Sequence, residues 1–466
     1  MSYNKITPSI IDELIAIVGA ENVITDTEKL EPYSHDEVSD PAYFHMPEAV
    51  VYAENTKQVA DIVTLANERL FPVVPRGAGT GLACGAVAYY GGIILSLEKM
   101  DKILEINEDD LYVVVEPGVR TSVLQQKVEE KGLFYAGDPC SGDSCFIGGN
   151  IATNAGGNRA VKYGTTRHQV YAIEVVNPQG KIVQLGARLK KQSTGYCMDQ
   201  LVIGSEGTLG IITKATLKLL PKPPCTIDLL AVYYDSADAI KTVNKLLKAG
   251  ITPSCIEFLD NPTLKSVEKY LNVSLQESEQ GNYLIVQLEG NNEDELDDKA
   301  CIMDEICTEM GAVAVLVADH DSIWQARKNF AEAVRAETKF VCKEDIVVPV
   351  DTEPALMAEI LRLADKYQLI TRMASHAGDG NIHLNILKGN KDDYDEWMQR
   401  VDANQQELYS FIYDHGGRLS GEHGIGYKRK SLMEQFTSPV ELEMMRAIKK
   451  ALDPNNIMNP GKVFDI

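Results

Sequence analysis

Two short stretches of this 466-residue chain gather the side chains that can move protons or hold a metal ion. Four of its eight histidines fall between positions 376 and 423. The segment HAGDGNIHLN, residues 376–385, reads as a strand end, a glycine-rich turn and a returning strand. Period-two alternation puts His383 and Asn385 on one face of the second strand, with Leu384 on the other. The turn can bring His376 back beside that face. Farther on, SGEHG at 420–424 sets Glu422 and His423 between glycines in a tight turn. Two imidazoles and a carboxylate, from His376, His383 and Glu422, make a divalent-metal donor set with open positions, and the set suits zinc, manganese or ferrous iron alike. His423, the next residue, would then stand as a proton acceptor. His35, His45, His168, His320 and His415 lack such company and are assigned to structural hydrogen bonding, as Asp379 is to capping its own turn.

Three glycine-rich segments lie earlier in the chain, and each would let a backbone approach a ligand closely. GAGTG at 77–81 follows a strand; glycines there allow successive N–H groups to converge on phosphate oxygens. It is not a dinucleotide fingerprint, because the residues after it lead into another strand rather than a helix, and no Lys-Ser/Thr follows to make a Walker loop. Taken alone it reads equally as a structural turn. IGGNIATNAGG at 147–157 adds a Gly148-Gly149 pair that can open a short helix onto an anion, with Ala152, Thr153 and Ala155 small enough for a planar ring to lie against. GSEGTLG at 204–210 adds a third such turn at a strand entrance. Three of them in one region point to one large phosphate-bearing cofactor.

The elements that must position these residues follow from periodicity. Strands are expected at 49–53, 71–75, 92–97, 111–116, 172–177 and 182–185, with a helix capped by Thr56 and running to Leu70. PKPP at 221–224 interrupts the pattern and marks a domain boundary. Beyond it, helices near 236–249, 292–310 and 320–336 alternate with strands at 254–259, 283–290, 312–318 and 346–350, the pattern of an α+β domain with an antiparallel sheet. The acidic run NNEDELDD at 291–298 reads as a helix start, where carboxylates favour the helix dipole.

Composition narrows the function. A net charge of −23 argues against nucleic acid and anionic membrane as partners, since both require clustered Lys/Arg. Such acidity serves a solvated surface or a face that docks a basic partner. The N-terminal sequence has no signal-peptide pattern, and no apolar run is long enough to span a membrane. The nine cysteines are scattered and never spaced CxxC, which fits a reduced, cytoplasmic chain without an iron–sulfur cluster of its own.

The motifs PRGAGTGL (75–82), IGGNIATNAGG (147–157), VIGSEGTLGIIT (202–213), LLPKPP (219–224), HAGDGNIH (376–383), SGEHGIG (420–426) and NPGK (459–462) together resemble the FAD-linked 2-hydroxyacid dehydrogenases. These are the D-lactate dehydrogenases, glycolate oxidase flavoprotein subunits and D-2-hydroxyglutarate dehydrogenases of the vanillyl-alcohol-oxidase fold. The resemblance runs from about residue 40 to the C-terminal NPGK. It implies an α+β FAD-binding domain of two α+β subdomains (1–222), an α+β cap domain with an antiparallel sheet that carries the metal site (223–415), and a segment returning to the flavin (416–466). It assigns FAD contacts to Pro75, Arg76, Gly77, Ala78, Gly79, Thr80, Gly81 and Leu82, to Pro139, Gly148, Gly149, Ala152, Thr153, Asn154, Gly157 and Tyr163, and to Glu206, Gly207, Ile211, Ile212 and Asn459. With no histidine in or beside 75–82, the flavin is expected to be non-covalent. The D-2-hydroxyglutarate branch has its metal ligands at His376, His383 and Glu422, substrate contacts at Asn385 and His423, and substrate-carboxylate residues at Arg327 and Lys343. Ala331 departs from that branch, which has a threonine there against the distal part of the substrate, so a short acid such as D-lactate is favoured over a dicarboxylate.

The implied reaction is oxidation of a short D-2-hydroxy acid, D-lactate to pyruvate as the leading case, with glycolate or D-2-hydroxyglutarate as alternatives. His423 would take the hydroxyl proton while hydride passes to FAD. Reduced flavin then needs an outside acceptor, an electron-transfer flavoprotein or an iron–sulfur subunit, because the chain has no nicotinamide motif and no cluster ligands. Two readings of other classes remain open from the residues: a metal-dependent hydrolase with a nucleotide-binding domain, and a non-catalytic flavin carrier.

Overall fold

The computed structural model describes residues 3–38 and 40–466. The chain folds into two compact units: residues up to Gly156, Thr165–Lys222 and Glu422–Ile466 form the first, and Gly157–Gly164 with Pro223–Gly421 form the second.

The first unit holds a four-stranded sheet, a five-stranded sheet and a short antiparallel pair, Leu133–Phe134 with Leu220–Pro221. In the first, the strands Ala49–Tyr52, Ile93–Ser96 and Val73–Arg76 run parallel, with Val23–Ile24 antiparallel at the edge. Val73–Arg76 is the opposite edge strand, where Pro75 is tolerated because it need not donate on the open side. Apolar residues at helical spacing, Val59, Ile62, Val63 and Ala66, bury the helix Thr56–Arg69 against this sheet. Its N-cap is Asn55 rather than Thr56: the Asn55 side chain accepts from Gln58 N, leaving Thr56 as the first helical residue. Leu70 then turns left-handed (φ 56°) and ends the helix. The second sheet is antiparallel, in the order Ile103–Asn107, Tyr112–Val115, Ile211–Lys218, Val170–Val176, Ile182–Gly186. Its core joins Val113, Val115, Ile173, Val175, Ala215 and Leu217 to Ile147 and Ile151 of the short helix Ile147–Thr153.

The second unit is built on a seven-stranded antiparallel sheet in the order Ala314–Val317, Cys225–Tyr233, Asn282–Gly290, Cys255–Leu259, Ile370–His376, Asn381–Leu387, Val341–Val347. The strand expected at 346–350 lies earlier in the chain, because Pro349 lacks the N–H to extend the ladder. The helix expected over 320–336 is two helices, His320–Lys328 and Phe330–Glu337, broken at Asn329 (φ −85°, ψ 3°). Two segments placed elsewhere by the expected boundaries belong to this unit. Residues 157–164 do so because Lys162 and Tyr163 both bond the Glu289 carboxylate and Val161 packs against Gly378. Residues 416–421 do so because Arg418 pairs with Val347, and Asp345 takes bonds from Ser420 and Gly421. The acidic run opens the helix Glu293–Glu309 behind an Asn292 N-cap, as its composition predicted.

Candidate active site

The first unit contains a cavity, open at its mouth, walled largely by the three glycine-rich segments. Pro75 to Leu82, Gly148, Gly149, Ala152, Thr153, Glu206, Gly207, Ile211 and Ile212 all line it, with Pro139 on a neighbouring loop. Among the described residues, the N–H groups of Gly77, Ala78, Gly79 and Thr80 donate to no protein acceptor. A Cβ added to Gly77 would lie 3.8 Å from Gly149 N, so two of the glycine segments meet here, and a Cβ on Gly149 would project into open space. Convergent donors without side chains over them form an anion cradle. Glu422 and His423 reach the same cavity, with His423 Nε2 3.8 Å from Glu422 Oε1. A Cβ on Gly156 would come within 2.7 Å of Glu422 Oε2, so glycine there makes room for the carboxylate.

Residues near the C-terminus hold the cavity in shape. The Glu206 carboxylate accepts Ile425 N and Gly426 N at 2.8 Å each; burial lifts its pKa above the ordinary value against the pull of those two donors. Asn459 donates from Nδ2 to Gly85 O and to Glu206 O, and Lys462 Nζ donates to Val87 O and Asn459 Oδ1. Burial pushes the Lys462 ammonium down to about 7, although Cys84, Glu206 and Asp36 oppose the shift. Cys84, Asn154, Glu206 and Asn459 all adopt positive φ (59°, 54°, 54° and 43°), strain that this bonding sustains around the cavity.

In the second unit, register places the sequence-derived residues on one face of the sheet. His376 lies opposite Asn381, His383 opposite Ala374 and Asp345, and Asn385 opposite Lys343. The His376 and His383 rings meet edge to face with centroids 4.9 Å apart. His376 Nδ1 bonds Glu257 Oε1 at 2.7 Å, and Arg327 Nε donates to the other oxygen of the same carboxylate at 2.6 Å. His383 Nδ1 stands 3.5 Å from Asp345 Oδ1, and Asp345 also accepts from Asn381 and Ser420.

Both parts of the chain have counterparts among known proteins. Residues 47–186 match the family described as "FAD binding domain", and residues 223–463 match "FAD linked oxidases, C-terminal domain". The chain belongs to the FAD-linked oxidases. Similar proteins in this family include D-lactate dehydrogenase of Anaerostipes hadrus, 38% identical over 99% of this chain and 98% of the relative. The glycolate oxidase subunit GlcD of Bacillus subtilis is 37% identical (98% and 97% covered), and D-2-hydroxyglutarate dehydrogenase of Stutzerimonas stutzeri is 35% identical (98% and 99%). Among solved structures, p-cresol methylhydroxylase with bound substrate aligns with a TM-score of 0.81 at 20% identity, covering 98% of this chain and 96% of that one. The 4-ethylphenol oxidase of Gulosibacter chungangensis aligns at 0.80 and 18% identity, covering 100% and 99%. Those two likenesses establish the vanillyl-alcohol-oxidase-type fold.

FAD is thus the cofactor of this FAD-linked oxidase, and the unsatisfied N–H groups of Gly77–Thr80 fit its pyrophosphate. The hydrolase and flavin-carrier readings of the same residues give way to an oxidoreductase. Four of the expected FAD contacts stand off the cavity wall. Gly157 and Tyr163 belong to the second unit, where Tyr163 is taken by Glu289; Asn154 instead accepts from Arg167 N and Thr165, and Asn459 braces the wall from behind. Of the other expected site residues, His376, His383, Arg327, Lys343 and Asn385 are in the second unit, and Glu422 and His423 in the first. Sequence reasoning missed Glu257, Asp345, Asp36 and Lys462. Only Lys462 carried a signal, its place in NPGK; the carboxylates sit in ordinary strand and loop sequence.

Proposed function

We propose that this FAD-linked oxidase dehydrogenates a short D-2-hydroxy acid, with D-lactate as the leading substrate, and passes the electrons to an external protein acceptor. The observation that carries the reading is the buried Arg327 guanidinium beside the His376–His383 pair on one sheet face: a carboxylate anchor next to groups that can hold a metal or a hydroxyl. Arg327 and Lys343 bind the substrate carboxylate, Arg327 in the planar fork geometry that suits it. Asn385, opposite Lys343 in register, hydrogen-bonds the substrate, and Ala331 leaves the distal position without a polar group for a second carboxylate.

His376 and His383 supply the imidazoles of a divalent metal site, with zinc, manganese or ferrous iron as the ion. Engagement of His376 Nδ1 by Glu257 fits this role, since it fixes the tautomer that offers Nε2 to a metal. Glu422, from the motif SGEHG, supplies the carboxylate. The bound metal supplies a Lewis acid at the α-hydroxyl, and bound FAD, held without a covalent link, supplies the two-electron acceptor. His423 accepts the hydroxyl proton on a ring nitrogen as the α-hydrogen departs as hydride, and the product is the 2-oxo acid. The electron acceptor is an electron-transfer flavoprotein or an iron–sulfur subunit. We take the setting to be cytoplasmic; no helix among the described residues is long and apolar enough to cross a membrane.

Anaerobic mixing with a panel of D- and L-2-hydroxy acids, before and after chelation, tests the reading. Loss of flavin colour with D-lactate, faster than with glycolate or D-2-hydroxyglutarate and abolished by chelation, is the expected result. A flavin that stays oxidised with every acid would end it.

A further inference from the structure

The Glu257 carboxylate is fully buried on the strand Cys255–Leu259, next to His376 across the ladder, since Phe258 pairs with Ser375. A carboxylate in that position is costly unless its oxygens are met by donors. Here each oxygen has one: Arg327 Nε at 2.6 Å from Oε2, and His376 Nδ1 at 2.7 Å from Oε1. Arg327 itself is 3% exposed and comes from a different element, the helix His320–Lys328. The contact is to the inner nitrogen of the guanidinium, so it sets the rotation of the side chain. The contact to His376 requires a proton on Nδ1 and so leaves the lone pair on Nε2.

We infer that Glu257 is a positioning residue that orients the substrate-anchoring arginine and the metal-ligating histidine at once, so that the metal affinity and the substrate affinity of this site depend on one carboxylate. The inference rests on the proposed roles of Arg327 and His376. The other buried carboxylate on this face, Asp345, is turned to His383, Asn381 and Ser420. Glutamine at 257 keeps the shape but has a single acceptor oxygen. It can serve Arg327 or His376, and its NH₂ group facing His376 would drive the ring to the tautomer with the proton on Nε2.

The test uses full-length, FAD-loaded protein stripped by chelation, titrated with Zn²⁺ by calorimetry, with KM and kcat measured on the metal-restored enzyme. For Glu257→Gln, Zn²⁺ affinity is expected to fall about 10- to 100-fold and KM for the 2-hydroxy acid to rise about 10-fold, with FAD content and melting temperature close to wild type. His376→Asn should lose Zn²⁺ binding at this site. If His376→Asn loses it but E257Q binds Zn²⁺ and substrate like wild type, the positioning role is overturned and the metal reading stands. If His376→Asn and His383→Asn bind Zn²⁺ as tightly as wild type, the metal reading fails and the inference with it. Should E257Q not fold, the wild-type proton spectrum decides. A downfield imidazole N–H signal that His376→Asn removes supports the Glu257–His376 bond, and its absence overturns it.

Discussion

His423 and Lys462 show how differently two titratable side chains can act in one unit. His423 opens onto the cavity and is the group expected to take the hydroxyl proton. His423→Asn should therefore slow anaerobic flavin reduction by at least ~10²-fold in stopped flow while FAD remains bound, the usual scale for losing a general base. Lys462 is fully buried and bonded to two carbonyl oxygens, with its pKa held down to about 7. Between pH 7 and the ordinary lysine value, the unfolded chain carries a proton that the folded chain lacks. Stability must then rise with pH across that window and level off below it. Denaturant titrations of the apoprotein from pH 7 to 10 should show this slope in wild type and lose it in Lys462→Met.

At the scale of elements, the turn between Ile370–His376 and Asn381–Leu387 decides whether the two histidines meet. Gly380 there has φ +77°, and a Cβ would lie 2.1 Å from Val348 O. Gly380→Ala should cost more than the ~1 kcal/mol of an ordinary glycine replacement, because the backbone must move, and the rings should separate with it. Lower stability together with weaker Zn²⁺ uptake is the expected result, read by chemical denaturation and calorimetry. This hairpin was legible in the sequence, since period-two alternation alone puts His383 and Asn385 on one face and glycines announce the turn. The glycine cradle was legible for the same local reason, because its donors come from the backbone of contiguous residues. Glu257 was not: nothing in CIEFL says which strand lies beside it, and only the order of the seven strands sets it against His376. The break at Asn329 was hidden as well, because apolar spacing continues through it.

Over the whole molecule, neither unit is a continuous piece of chain. The strand Val73–Arg76 bonds to Ile457 O through Val73 N, and Val73 O accepts Asn459 N, so residues 457–459 bridge onto a sheet begun near the other end of the sequence. A stop placed after Asn456 removes Met458, Asn459 and Lys462, and with them the braces behind Gly85, Val87 and Glu206. That product should lose its flavin on gel filtration while the full-length chain stays yellow. The same wiring orders events on the ribosome. All of the second unit is translated before residues 457–462 exist, so a nascent chain has no finished cradle with which to capture the cofactor. Flavin loading is therefore expected to wait until residues 457–462 have been made, and a chain stopped before them should be released colourless.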